Sequence, residues 1–200
     1  MKPAVIYIHG FASGPGLKAT QFRTSFPGSE IIAPQLTGMV NEDLAALEKL
    51  IVELHNDAIH VVGTSLGGFY TLCLASKLRD ARKSFKFYVI NPAFSPDETL
   101  FKYKDQEVVN YKSTGPSITL TDADFTALKD NKVFIMENFA APIDLYIFIA
   151  LQDVHLNFNE FLEFIARVPH LEPNIHYSNQ DHRYSNIDSV INQLRLNNVN

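Results

Sequence analysis

Short, nearly unbroken apolar runs alternate along this chain with longer stretches in which apolar residues recur every three or four positions. The short runs are AVIYI at 4–8, EIIAP at 30–34, AIHVVG at 58–63, FKFYVINP at 85–92, DLYIFIAL at 144–151 and NIHYS at 174–178. Each is rich in β-branched or aromatic residues and ends at Gly, Pro or a polar cluster, which predicts six strands. The longer stretches predict helices over 17–26, from Asn41, from Leu66, over 159–168 and at the C-terminal end. In the second of these, Leu44, Leu47, Leu50, Ile51 and Leu54 share one face, with Asn41 expected as N-cap and Glu42 and Asp43 at the positive end. The last carries Ile187, Val190, Ile191 and Leu194 on one face.

Strand–helix alternation of this kind predicts an α/β domain with a mainly parallel sheet. Strands apolar on both sides predict helices on both faces. The pattern breaks down over 95–142, where charges and prolines accumulate and one helix is predicted from Thr121, with Thr121 and Asp124 forming a capping box. This reads as an insertion after the fourth strand, a small lid over one end of the sheet. Residues 1–200 are expected to form one domain.

Composition narrows the field. With 46% hydrophobic and 20% charged residues in 200, the chain is globular in character. Its 17 basic against 22 acidic residues give a net charge of −5 with no long basic run, which argues against a nucleic-acid partner. A single cysteine, Cys73, excludes an internal disulfide and any multi-cysteine metal site; flanked by Leu72 and Leu74, it reads as a buried, inert thiol. The first apolar run, bracketed by Pro3 and His9, is too short for a signal peptide or a membrane span, so a cytoplasmic protein is expected.

The candidate chemistry lies in HVVGTSLGGFY, residues 60–70, where a G-x-S-x-G pattern falls between a predicted strand and a predicted helix. A serine on so sharp a turn is held in strained backbone, and side chains two positions away on either side would collide, which explains Gly63 and Gly67. A nucleophilic serine needs a base, and a neutral imidazole needs an orienting carboxylate. Asp153 follows the fifth strand and His182 follows the sixth, so the order is Ser65, Asp153, His182, all at C-terminal strand ends. Asp97, soon after the fourth strand, is the rival acid; Asp144 lies at the wrong edge, and Asp181 reads as shaping its loop. Of the other histidines, His9 reads as a residue that fixes its loop, and His55, His60, His155, His170 and His176 occupy positions better suited to packing or exposure. An oxyanion site can be built from the Leu66 N–H at the helix start and the Phe11 N–H in the loop after the first strand, where Gly10 permits close approach.

YIHGFASGPGLKAT, IIAPQL, VVGTSLGGFY and VINPA, in this order, closely resemble segments of the small bacterial YqiA-type esterases of the α/β-hydrolase superfamily. The resemblance spans nearly the whole chain and is strongest in the first 95 residues. It implies a compact hydrolase core, activity on acyl esters or thioesters, and a nucleophile, acid and base at Ser65, Asp153 and His182. Two positions depart from the family pattern: Gln152 stands where Gly usually precedes the acid, and Asp181 where Asn usually precedes the base.

The expectation is therefore a serine hydrolase of carboxylic esters that needs no metal or organic cofactor. A thioesterase acting on acyl-CoA or an acyl carrier is the alternative, with Lys102, Lys104 and Lys112 as basic residues near the entrance. A third reading is a ligand-binding protein that keeps the fold without the reaction. Phe11, Phe69, Tyr70, Phe94 and Phe101 are candidates for an acyl pocket.

Overall fold

The computed structural model describes residues 2–78, 84–110, 117–140, 142–171 and 173–199. The chain begins β1 (Ala4–Ile8), α1 (Gly16–Ser25), β2 (Glu30–Ile32), α2 (Val40–Glu53), β3 (Ala58–Thr64), α3 (Leu66–Leu78) and β4 (Ser84–Ile90). It continues through α4 (Pro96–Thr99), β5 (Glu107–Val108), β6 (Ile118–Thr119) and α5 (Asp122–Asn138). It closes with β7 (Leu145–Ala150), α6 (Asn159–Arg167), β8 (Asn174–Ser178) and α7 (Asp188–Leu196).

The six predicted strands form one sheet in the order β2-β1-β3-β4-β7-β8, and every pairing in it is parallel. Alternation along each strand divides the core in two, because successive side chains point to opposite faces. Ile6, Ile8, Ile59, Val61, Phe87, Val89, Ile147 and Ile149 pack with α2, α3, α5 and α6 on one face. Val5, Tyr7, Val62, Tyr88, Ile90 and Phe148 pack with α1 and α7 on the other. Both faces are covered, as unbroken apolar strands require.

The strand order also locates a crevice. From β1 the chain moves to β2 on one side; from β2 it crosses back over β1 to β3, and all later strands add on that second side. The loops leaving β1 and β3 thus part in opposite directions at the C-terminal edge, the place where open parallel sheets leave room for a ligand.

Two local features differ from the sequence expectation. Helix α2 starts at Val40 with Met39 as N-cap, so Asn41 lies inside its first turn. Asp124 of the insertion accepts the Val40 N–H at that end at 3.3 Å, while Asp43, buried inside the helix, accepts the Thr37 and Gly38 N–H groups of the preceding loop at 2.8 and 2.9 Å. The insertion also holds a two-stranded antiparallel pair, β5 with β6. Its predicted capping box is present, with Asp124 accepting from the Thr121 N–H at 2.9 Å. Helix α5 buries Ala127, Leu128 and Ile135 in the α2–α3 side of the core. Full burial of Leu128 and Ile135 stabilises that attachment by roughly 2–3 kcal/mol each. Lys112 lies outside the described residues, and among the described ones no helix is long and apolar enough to cross a membrane.

Candidate active site

Ser65 occupies the single residue between β3 and α3 and has φ +55°, a left-handed conformation unusual for serine. Backbone on both sides holds it there. Its N–H donates to the Ile90 carbonyl at 2.9 Å, and its carbonyl accepts from Ala93 N–H at 3.1 Å and Phe69 N–H at 3.2 Å. The flanking glycines are demanded by space. A Cβ at Gly63 would lie 2.1 Å from the Gly67 carbonyl oxygen, and one at Gly67 would lie 2.2 Å from the Ile8 carbonyl oxygen. The turn therefore packs directly on the end of β1, and Ser65 stays partly exposed on the wall of a cavity.

His182 follows β8 and Asp153 follows β7. His182 Nδ1 lies 2.6 Å from Asp153 Oδ2, a separation typical of a charge-assisted hydrogen bond. The Asp153 side chain is 0% exposed and that of His182 26%. The other carboxylate oxygen accepts the N–H groups of His155 and Leu156 at 2.8 and 3.1 Å. Burial alone would raise the Asp153 carboxyl. The hydrogen bond from His182 and the two backbone donors outweigh it and hold the group below its ordinary value. The carboxylate is thus kept ionised and aimed at one imidazole nitrogen. Asp97, the rival acid, sits in the first turn of α4.

Ser65 and His182 share one cavity of about 500 Å³, whose wall also includes Gly10, Phe11, Leu66 and His155. Gly10 approaches the serine so closely that a Cβ there would lie 3.2 Å from Ser65 Cβ and 3.7 Å from its Oγ. The loop carrying Gly10 and Phe11 is pinned by His9. This imidazole is almost fully buried; its Nδ1 hydrogen-bonds the Gly10 carbonyl at 2.9 Å, and its Nε2 accepts the Leu36 N–H at 3.2 Å. Burial depresses the His9 pKa, against the smaller opposing effects of that carbonyl and of Asp43, which keeps the ring neutral, a donor at Nδ1 and an acceptor at Nε2. Among the described residues, the backbone N–H groups of Phe11 and Leu66 make no hydrogen bond.

Of the aromatic residues considered for an acyl pocket, Phe11 is on the wall of this cavity. Phe69 and Tyr70 are core residues, Phe101 is 61% exposed, and Phe94 lines a separate groove of about 350 Å³ between α5 and α6. Lys18, Lys102 and Arg183 stand on the cavity wall, whereas Lys104 is paired with Asp122 at 2.5 Å. Three wall features went unread in the sequence. His155 packs edge-on against His182 with ring centroids 5.3 Å apart, although its position two residues from Asp153 carries no chemical signature. Lys18 and Arg183 reach the wall only because α1 and the His182 loop converge there. Among the described residues, no group of three or more His, Cys, Asp or Glu side chains is arranged to hold a metal ion.

Comparison with known proteins agrees with this architecture. Residues 4–196 match the model of an uncharacterised protein family, UPF0227, which is the YqiA-type family, and the chain belongs to it. Among solved structures, a protein of Agrobacterium vitis S4 described as a hydrolase superposes with a TM-score of 0.72 at 19% identity, over 98% of this chain and 87% of that one. Mouse alpha/beta hydrolase domain-containing protein 10 gives 0.69 at 15% identity, over 98% and 89% of the two chains. Est1E of Butyrivibrio proteoclasticus gives 0.67 at 16% identity, over 98% and 88%. At such identities the likeness defines the fold: the domain is an α/β hydrolase fold.

Proposed function

We propose, with membership of the YqiA-type family and the α/β hydrolase fold as premise, that this protein hydrolyses carboxylic esters through Ser65, His182 and Asp153. The observation that carries the reading is the 2.6 Å pairing of His182 with Asp153, whose side chain is fully buried, beside a cavity that His182 shares with Ser65. Asp153 holds the imidazole with its proton on Nδ1, which leaves Nε2 as the base. Ser65 Oγ attacks the acyl carbon as its proton passes to Nε2. The carbonyl oxygen becomes an anion, held by the Phe11 and Leu66 N–H groups, each contributing about 3 kcal/mol when preorganised. Collapse of that intermediate breaks the ester bond, and His182 protonates the departing alcohol. Water, deprotonated by the same imidazole, then releases the acid and restores the serine. Every step is carried by groups of the chain itself.

A second reading, thioester hydrolysis, is favoured by one observation: among the described residues, Lys18, Lys102 and Arg183 line the cavity and no Asp or Glu does, in a chain of net charge −5. An anionic leaving group such as a phosphate-bearing thiol carrier suits that wall. The residues 95–142 supply Thr99, Leu100, Lys102 and Tyr103 to the wall, and under this proposal they act as a small lid that sets acyl and leaving-group preference.

The test is a fluorophosphonate probe followed by p-nitrophenyl esters of two to sixteen carbons and the matching acyl-CoA thioesters. Labelling that disappears in Ser65→Ala, with turnover of at least one series, is the expected result. Absence of labelling and of turnover on every substrate would leave a ligand-binding protein in place of the enzyme.

A further inference from the structure

Ser65, Asp153 and His182 stand on three separate loops, yet one short segment, Ile90–Ala93 at the end of β4, touches the backbone that carries each of them. The Ile90 carbonyl and the Ala93 N–H bracket Ser65 at 2.9 and 3.1 Å. Between them, Asn91 spends its hydrogen-bonding groups on β7, the strand that leads to Asp153, and on the His182 loop. Its N–H donates to the Phe148 carbonyl at 2.9 Å, and its side-chain Oδ1 accepts the Ala150 N–H at 2.8 Å. Its Nδ2 donates to the His182 carbonyl at 3.1 Å. Ala150 passes the constraint on, since its own carbonyl accepts the Asp153 N–H at 3.3 Å.

The chemistry of these contacts selects asparagine. Asn91 is fully buried with φ +45°, a conformation that Asn tolerates better than most residues. One partner is an N–H and the other a carbonyl, so the side chain must accept and donate from a single planar group. Those partners also set which way the amide faces. Aspartate would present two acceptors, and the one facing the His182 carbonyl would be repelled. Leucine would leave both backbone groups unpaired in the interior, and glycine would meet the backbone requirement while reaching neither partner.

We propose that Asn91 is a positioning residue that sets the His182 loop against the β7 end, and thereby the imidazole against both Asp153 and Ser65. The inference rests on the ester-hydrolase reading for its kinetic consequence, but its structural consequence stands apart. The tests are Asn91→Gly, which keeps the left-handed backbone free of strain while deleting the clamp, and Asn91→Asp, which keeps the shape but replaces the donor to the His182 carbonyl with a repelling acceptor.

Two readouts apply to each variant, alongside the melting temperature: kcat and KM on the best p-nitrophenyl ester, and the low-field proton resonance of His182 Nδ1–H. That resonance is assigned in the parent protein by its loss in Asp153→Asn. In folded variants, kcat should fall about 10²-fold, the size expected for displacement of a reacting group by about 1 Å, with KM within about threefold. The low-field resonance should broaden or vanish. A folded variant that keeps the resonance, whether or not kcat falls, overturns the proposal, as does kcat within about twofold of the parent. If Asn91→Gly does not fold, Asn91→Asp decides by the same criteria. If the parent protein neither hydrolyses nor labels, the ester-hydrolase reading fails on its own, and the resonance alone decides for Asn91.

Discussion

His60 and His182 are both hydrogen-bonded to a side-chain oxygen, at 2.9 Å to Tyr88 and 2.6 Å to Asp153. His60 sits inside β3 within the α1–α7 side of the sheet, 1% exposed, in a polar knot with Tyr88 and Asn197. Burial drives its pKa down to about 4, helped by the nearby Lys86, so the ring is neutral at physiological pH. Among the described residues it has no carboxylate partner, and it is not on the cavity wall. His182 lies beyond the end of a strand, keeps a quarter of its side chain exposed, faces an ionised Asp153 and borders the cavity that contains Ser65. An imidazole is thus a packing element in one place and a candidate base in the other. The difference is the charge of the partner and access to a reactant, since only a carboxylate stabilises the imidazolium that proton transfer creates.

That comparison can be broken in several ways. The largest expected effects are at the cavity: Ser65→Ala should reduce ester turnover by about 10⁴-fold or more, and Asp153→Asn by about 10³–10⁴-fold, without loss of fold. Steady-state kinetics with matched melting curves would check both. Near-parental turnover in Asp153→Asn would move the acid elsewhere, with Asp97 next in line. Gly10→Ala places a Cβ 3.2 Å from that of Ser65 and should cost about tenfold in kcat by pushing the loop back from the developing oxyanion. Larger loss of stability than of turnover would contradict it.

His60→Phe should leave turnover within about twofold while lowering stability by about 1–3 kcal/mol, measured by urea unfolding, because the Tyr88 hydroxyl loses one of its two partners. The smallest effect is a change in pH dependence. His60 is neutral when folded down to about pH 4 but takes up a proton near its ordinary value of 6.5 when unfolded. Below 6.5 the unfolded chain therefore binds more protons, and stability falls with acidification until about pH 4. The full contribution is present above 6.5. His9, also depressed, acts in the same direction. Asp153, held low when folded, adds stability above its unfolded pKa and loses it only as pH drops through its folded value, so its contribution falls away at lower pH than that of the histidines. In His60→Phe, the decline between pH 6.5 and 4 should flatten. An unchanged slope in urea titrations would show that His60 is not the group responsible.

The legible parts of the molecule were those in which neighbours in sequence are also neighbours in force. Ser65 could be read because its turn needs Gly63 and Gly67 at fixed offsets, and those offsets are local sterics. The inner strands could be read because a sheet covered on both faces leaves them few positions for a solvated side chain, while the edge strands β2 and β8, which do expose residues, were marked by their bounding turn and loop residues. The start of α2 was misplaced for the opposite reason. Asn41 has the right chemistry for a cap, but the distant Asp124 accepts at that helix end, and a contact between residues 40 and 124 has no local trace.

By itself the sequence determined the six strands of the main sheet, its main helices, their order along the chain and the chemical inventory: one serine on a forced turn, and a carboxylate and an imidazole each after a late strand. Their convergence followed from the parallel sheet, which gathers every strand's C-terminal end at one edge. Only the tertiary structure decided which histidine meets which acid, that Lys18, Lys102 and Arg183 share a wall, and that Asn91 bonds both the end of β7 and the His182 carbonyl. Those are contacts between segments up to 165 residues apart, as in the bond from Lys18 to the Arg183 carbonyl. Their energies depend on distances of a few ångströms, which chain order leaves open and close packing of the core decides.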